Sequence, residues 1–270
     1  MTANYHTHTY RCNHADGDVG DYAAVAAERG LRVLGFSDHT PYFYPAGMPD
    51  NEFAMHPSEI GDYVSSVLRV REEYRGRMEI ALGFETEYFP RYFDRLIEEY
   101  SKYPVDYIIL GEHYSGAPTD DGTFDTFLPT EDRSRLLTYT RLVEEAVDTG
   151  RFSYIAHPEV MHYVGDDKGF LRECYRRIIR AAKAAGIPLE FNLFGMVDGR
   201  HYPDPIFWDE VASEGSVDVI LGCDAHTPGR IAEPGEISRA EKILSGYGIT
   251  PITRLTLINP VTKEKTYPEM

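Results

Sequence analysis

GFLRECYRRIIRAAKAA (residues 169–185) runs through Gly186 and Ile187 into PLEFNL (188–193). In the first part Leu171, Cys174, Tyr175, Ile178, Ile179 and Ala182 recur at the i, i+3, i+4 spacing that stripes one face of an α-helix. Gly186 is placed to stop that helix, and Pro188 opens an extended apolar run that suits a strand. The same alternation extends in both directions. Strand-like runs fall at residues 4–7, 33–37, 78–84, 105–111, 152–156, 188–193 and 217–222, and helix-like stretches at 21–29, 57–74, 89–102, 131–149 and 169–185. Mostly continuous apolar strands separated by helices predict a parallel sheet covered by helices. Seven such repeats in 270 residues, with no linker or low-complexity tract, predict one α/β domain over residues 1–270, a closed or nearly closed βα barrel.

The composition, 42% hydrophobic and 26% charged with scattered Gly and Pro, is that of a folded globular chain. With 27 Lys and Arg against 44 Asp and Glu, the formal charge is −17. Such a field repels phosphate backbones and argues against a long nucleic acid as partner. A small anionic substrate would need local cations to hold it, and part of the acid excess is available as their ligands. No run of 18 apolar residues and no basic-then-apolar leader is visible, so neither a membrane partner nor secretion is expected. Cys12, Cys174 and Cys223 are odd in number and widely spaced, which fits a reducing, cytoplasmic setting.

The histidines carry the functional signal. His6 and His8 lie on the first strand, His39 ends the second, His113 the fourth, His157 the fifth, and His226 follows the seventh beside Asp224; Glu85 ends the third. In a parallel barrel these carboxyl ends converge on one mouth, where barrel enzymes build their sites. His6-x-His8 on an extended strand points both rings to one face, and Asp224-x-His226 repeats that spacing. Imidazole nitrogen with carboxylate oxygen suits Zn, Fe or Mn better than Ca. With His14, nine candidate ligands are too many for one ion and suit two or three divalent transition metals. His56 reads as a surface residue at a helix start. His162 and His201 fall in mouth loops, where each is either a substrate contact or an ordinary loop histidine.

His6-Thr-His8-Thr-x-x-Cys12-x-His14, Ser37-Asp38-His39, Gly83-Phe84-Glu85, Gly111-Glu112-His113, Ala156-His157-Pro158 and Cys223-Asp224-Ala225-His226 resemble the motifs of the PHP (polymerase and histidinol phosphatase) family over residues 3–230. The segment Glu190-Phe191-Asn192, followed by Tyr202-Pro203, is most similar to its histidinol-phosphatase branch. The resemblance implies a distorted (β/α)7 barrel, a trinuclear metal centre and a place in histidine biosynthesis. It groups His6, His8, Glu85 and Asp224 on one metal, Glu85, His113 and His157 on a second, and His14, His39 and His226 on a third. Where that branch commonly carries arginine just after Glu-x-Asn, this chain reads Leu193-Phe194-Gly195-Met196; Arg200, His162 and Arg11 are the candidate replacements.

The expected activity is hydrolysis of a small phosphomonoester such as L-histidinol phosphate, with bound metals acidifying the attacking water. Glu85, Asp224 and His226 are the candidate catalytic residues, the last two as proton carriers. A phosphodiesterase or nuclease acting on a nucleotide or short oligonucleotide is the alternative, and a non-enzymatic metal-binding barrel a third. For the leaving group, Asp120, Asp121, Asp125, Asp166, Asp167 and Asp198 could accept an ammonium, and Tyr42, Phe43, Tyr44 and Tyr114 could stack on a ring. Each of these also reads as an ordinary loop residue.

Overall fold

The computed structural model describes residues 1–43, 52–118 and 120–268; Tyr44 lies outside them. Helix α5 (Lys168–Ala185) forms where the apolar stripe predicted it: Asp167 accepts the Phe170 N–H at its start, Gly186 closes it at φ +66°, and the six striped residues are buried. The other helices are α1 (Val19–Glu28), α2 (Ile60–Glu73), α3 (Phe93–Tyr100), α4 (Arg133–Asp148), α6 (Leu193–Asp198), α7 (Pro205–Glu214) and α8 (Pro234–Gly246).

Four strands, β1 (Ala3–Asn4), β2 (Val33–His39), β3 (Glu79–Thr86) and β4 (Tyr107–Leu110), lie side by side, all parallel. β5 (Leu189–Asn192) pairs in parallel with β6 (Val219–Gly222). Isolated parallel bridges link Leu110 to Ile155, Ile155 to Leu189, and Thr7 to Ala225. The sheet is therefore curled and barrel-like. The strand expected over 152–156 is reduced to a bridge at Ile155, although Ala156 N still bonds Leu110 O at 2.9 Å and Glu190 N bonds Ile155 O at 3.0 Å. The pairing stops because His157 turns to φ +27° and Pro158 has no N–H to continue it. Past β6, β7 (Leu257–Ile258) and β8 (Lys265–Thr266) form an antiparallel pair that the alternation did not foretell.

Two apolar clusters follow from strand alternation. Leu34, Phe36, Ile80, Leu82 and Phe84 point outward beneath the helices, whereas Val33, Ala81, Tyr107, Ile109, Tyr154 and Ile220 fill the interior. The Tyr107 ring occupies the space over Gly35 and Gly83, where a Cβ would overlap it, and its hydroxyl donates to the carbonyls of Tyr5 (2.8 Å) and Phe36 (3.1 Å). This tyrosine layer floors the interior. Anything built at the carboxyl ends of the strands rests on it.

Candidate metal centre

The inward row of β3 runs Ala81, Gly83, Glu85, which puts the Glu85 carboxylate above the tyrosine layer and nine-tenths or more buried. His39 continues the inward row of β2, and Gly111 and His113 continue that of β4. A Cβ at Gly111 would overlap the Glu85 carboxylate, so glycine there makes room for it. On β5 the inward residues are Glu190 and Asn192, and after β6 comes Asp224. His6 and His8 break the alternation. Ala3 and Tyr5 already belong to the interior cluster, yet His6 and His8 face inward too. Asn4 holds this shift, its amide donating to His6 O (3.0 Å) and Thr7 Oγ1 (2.8 Å) while its Oδ1 accepts Cys223 N (2.9 Å).

All nine ligand-type side chains meet. Glu85 Oε2 lies 3.3 Å from His6 Nε2, 3.5 Å from His8 Nε2 and 3.2 Å from His39 Nδ1; Glu85 Oε1 lies 2.8 Å from His157 Nε2 and 3.4 Å from His113 Nε2. Asp224 Oδ1 is 3.1 Å from His8 Nε2 and 3.5 Å from His6 Nε2, and His226 Nε2 is 3.0 Å from His14 Nε2. Among the described residues, ligand atoms within 4.8 Å of one another form the sets His6–His8–Glu85, His6–His157–Asp224, Glu85–His113–His157, His14–His39–His226 and His8–Cys12–His226. Cys12 is the one member that the sequence reading left out.

His6 Nε2, His8 Nε2 and Glu85 Oε2 are buried without a hydrogen-bond partner among the described residues. An orphaned buried polar atom costs about 1–3 kcal/mol, so three converging on one point are the mark of a cation site. The donor set, imidazole nitrogen plus carboxylate, fits a transition metal. The opposite ring nitrogens are held from outside: His6 Nδ1 by Glu190 Oε1 (2.8 Å), His14 Nδ1 by Cys12 O (2.7 Å) and His226 Nδ1 by Asp224 O (3.0 Å), with Glu87 Oε1 3.4 Å from His113 Nδ1. Such partners fix ring orientation toward a metal. His157 (φ +27°) and Asp224 (φ +47°) are non-glycine residues in left-handed backbone, a strain of order 1–3 kcal/mol each that concentrates at functional sites.

The electrostatics divide the cluster. Burial opposes charge on His6, but Glu190, Asp224 and Glu85 outweigh it and hold its pKa well above the usual value. The same contest raises His8 to about 9 and His113 to about 10. Burial and the charge on His8 push His14 and His39 down and His226 to about 3. Burial would raise Glu85 and Asp224, yet the surrounding histidines, His6 first, hold both carboxyls well below the usual range.

A cavity of about 260 Å³ opens above the cluster, lined by His14, His39, Glu85, His113, His157, Asp224 and His226 and walled by Tyr42, Phe53, Tyr114, Phe127, Phe194 and Tyr202, with Glu87, Asp125 and Arg200 as its further charges. Of the three cations proposed to meet the substrate, Arg200 alone lines it, stacked 4.6 Å over Phe194 and 5.6 Å over Phe127. Arg11 is buried elsewhere, bound to Asp18 (2.7 Å) and Asp62 (2.6 Å), so it ties the His14 loop to α1 and α2 instead. His162 is stacked on His201 with ring centres 4.0 Å apart and its Nδ1 3.2 Å from Phe127 O, behind the cavity wall. Asp125 reaches the cavity, whereas Asp120 pairs with Arg91, Asp167 caps α5 and Asp198 pairs with Arg230. Phe43 lines an adjoining hollow with Phe89 and Phe93, and exposed His56 caps the turn before α2. Glu190 was missed as a site residue; a lone acid inside the apolar run PLEFN was its signal.

A curled parallel α/β sheet that gathers histidines and carboxylates at its carboxyl edge defines a metal-site protein of the barrel-like α/β class. Residues 4–193 match the PHP domain family, and the chain belongs to that family. A protein named probable histidinol-phosphatase from Deinococcus radiodurans is 30% identical over 237 residues, covering 84% of this chain and 86% of that one. A protein named probable phosphatase from Syntrophotalea carbinolica is 28% identical over 252 residues, covering 91% and 88%. In fold the chain is similar to histidinol phosphate phosphatase from Lactococcus lactis subsp. lactis, whose crystal structure is a complex with zinc, L-histidinol and phosphate: TM-score 0.70, 19% identity, 98% of this chain and 99% of that one covered.

Proposed function

We propose that this chain is a metal-dependent phosphomonoesterase of histidinol-phosphatase type, converting L-histidinol phosphate to L-histidinol and phosphate on a distorted (β/α)7 barrel. The observation that carries the reading is the convergence of seven histidines with Glu85 and Asp224 at the floor of one small cavity, with buried ring and carboxylate atoms left unpaired. The names of the Deinococcus and Lactococcus proteins support the substrate class.

His6, His8, Glu85 and Asp224 would hold one divalent cation, Glu85, His113 and His157 a second, and His14, His39 and His226 a third, with Zn, Mn or Fe suited to these donors. Bound there, the cations would supply charge for the phosphoryl oxygens and a water of lowered pKa. Arg200, stacked on two phenyl rings and without a carboxylate partner among the described residues, would present its N–H groups to the phosphoryl group. Asp224 lines the cavity and would take and return the proton, whereas His226, its Nδ1 bonded to Asp224 O at 3.0 Å, would be held toward its cation and carry none. Asp125 and Glu87 face the same space as acceptors for an ammonium, and Tyr42, Tyr114 and Phe127 offer flat surfaces for an imidazole ring.

Phosphate release from L-histidinol phosphate, an aryl phosphate and a bis-aryl phosphate is measured with protein loaded with Mn or Zn and with chelated protein. Monoester turnover that chelation abolishes is expected. Cleavage of the diester without the monoesters, or monoester turnover indifferent to chelation, would overturn the assignment.

A further inference from the structure

The cavity holds a polar group that neither the ligand set nor the expected cations use. Tyr202 is 2% exposed, lines the cavity beside His157, Arg200 and Asp224, and makes no side-chain hydrogen bond to any described residue. The ring is buried, while its hydroxyl oxygen is not among the buried atoms that lack a partner and opens on the cavity.

The ring is held in place from several sides. Asn192 caps α6 by accepting Gly195 N (2.8 Å), and a Cβ at Gly195 would overlap the Tyr202 ring, so glycine there is what lets the ring lie against α6. His157 and His201 bound the ring at centroid distances of 5.7 and 5.2 Å. Arg200 N bonds Gly195 O at 3.0 Å, so the guanidinium and the phenol rise from the same turn. The positive and neutral donors thus share one short segment, 200–202, anchored to the strand that carries Glu190.

We propose that the Tyr202 hydroxyl, together with Arg200, binds non-bridging oxygens of the phosphoryl group. The inference rests on the phosphomonoesterase reading for its substrate. Its chemistry, a hydroxyl donor and a guanidinium on a tetrahedral oxyanion, applies equally to inorganic phosphate.

The test compares wild type with Tyr202→Phe, which removes one oxygen and leaves the ring packing on Gly195. Inorganic phosphate is titrated calorimetrically into both metal-loaded proteins, metal content is measured, and kcat and KM are determined for an alkyl and an aryl phosphate. The variant is expected to keep its metals, to bind phosphate at least about tenfold more weakly, and to lose kcat/KM by about 100-fold. Because the hydroxyl meets the phosphoryl group, the loss is the same for both leaving groups. Equal phosphate affinity in the two proteins, or no phosphate binding by wild type, overturns the proposal; a loss confined to one ester moves Tyr202 to the leaving group and overturns it as well. Weaker phosphate binding by the variant, in a wild type that hydrolyses no monoester, would uphold the donor pair while refuting the proposed activity.

Discussion

Replacing Glu190 by glutamine tests whether the carboxylate beneath the cluster sets the chemistry above it. Glu190 is fully buried and receives three N–H donors: His6 Nδ1 on Oε1 (2.8 Å), and His157 N and Asn192 Nδ2 on Oε2 (both 3.0 Å). A glutamine has one acceptor oxygen. Two donors, one of them a backbone N–H that cannot reverse, claim the Oε2 side, so the amide oxygen settles there and the NH₂ turns to His6. His6 Nδ1 must then accept, which moves the ring proton to Nε2, the atom that faces Glu85 and Asp224. A protonated Nε2 cannot ligate. Loss of such an orienting partner lowers metal affinity by about 10- to 100-fold, or about 1.4–2.8 kcal/mol by the tenfold-per-1.4 conversion. Calorimetric titration of Zn or Mn into chelated wild type and Glu190→Gln, with elemental analysis after dialysis, measures this directly. One cation per chain is expected to weaken or disappear while the helices persist by circular dichroism. Unchanged stoichiometry with affinities within twofold of wild type would refute the tautomer argument.

Other perturbations read different parts of the site. Arg200→Ala is expected to raise KM for a phosphomonoester at least about tenfold, the value of a hydrogen bond to a charged group, and steady-state kinetics with an unaltered KM would remove it from the substrate. Gly111→Ala drives a methyl into the Glu85 carboxylate; denaturant unfolding is expected to show a loss of about 1–3 kcal/mol together with reduced metal content, and wild-type values for both would contradict the close approach. In chelated protein, the raised pKa values of His8 (about 9) and His113 (about 10) lend stability that is complete below the unfolded value of about 6.5 and is lost as pH climbs through 9 to 10. Metals must displace those protons, so their apparent affinity rises with pH up to the same values, and a flat affinity between pH 7 and 10 would show that these histidines are neutral in the metal-free protein.

Legibility in the sequence followed the regularity of the backbone. β3 alternates strictly, so Glu85 could be placed at the mouth by counting along 81, 83 and 85, and the stripe of α5 is observed residue for residue. The first strand is different. Period-2 counting puts His6 and His8 on a common face, yet it cannot show that Tyr5 shares the interior with them, because the Asn4 side chain substitutes for strand pairing at that point. The fifth strand shrank for a related reason: the left-handed turn at His157 is a property of the site, invisible to propensity. Helices α7 and α8 were signalled and passed over. Each has proline at its first position behind an acidic cap, Asp204 or Glu233. Arg11 and His162 misled because a cation in a mouth loop says nothing about which neighbours claim it; here Asp18, Asp62 and the Phe127 carbonyl do.

The division of the histidines by charge gives the nine side chains an internal order. His6, His8 and His113 lie around Glu85, with Asp224 also close to His6 and His8, and they are drawn to the charged form; His14, His39 and His226 are pushed to the neutral form by burial and by the charge on His8, His39 even though its Nδ1 is 3.2 Å from Glu85. A proton and a metal ion act alike on the outer three, because either one places positive charge beside Glu85. The outer set is therefore neutral, and ready to donate nitrogen lone pairs, whichever of the two fills the inner set. Inner binding is an exchange of cations for protons and must release protons to solvent, whereas outer binding at neutral pH releases almost none. Glu85 sits at the inward end of β3 within reach of His6, His8, His39, His113 and His157 and gathers the ligands, but the charge on the inner set is shared work: Glu190 and Asp224 act on His6 ahead of it, Asp224 and Asp38 on His8, and Glu85 leads only at His113.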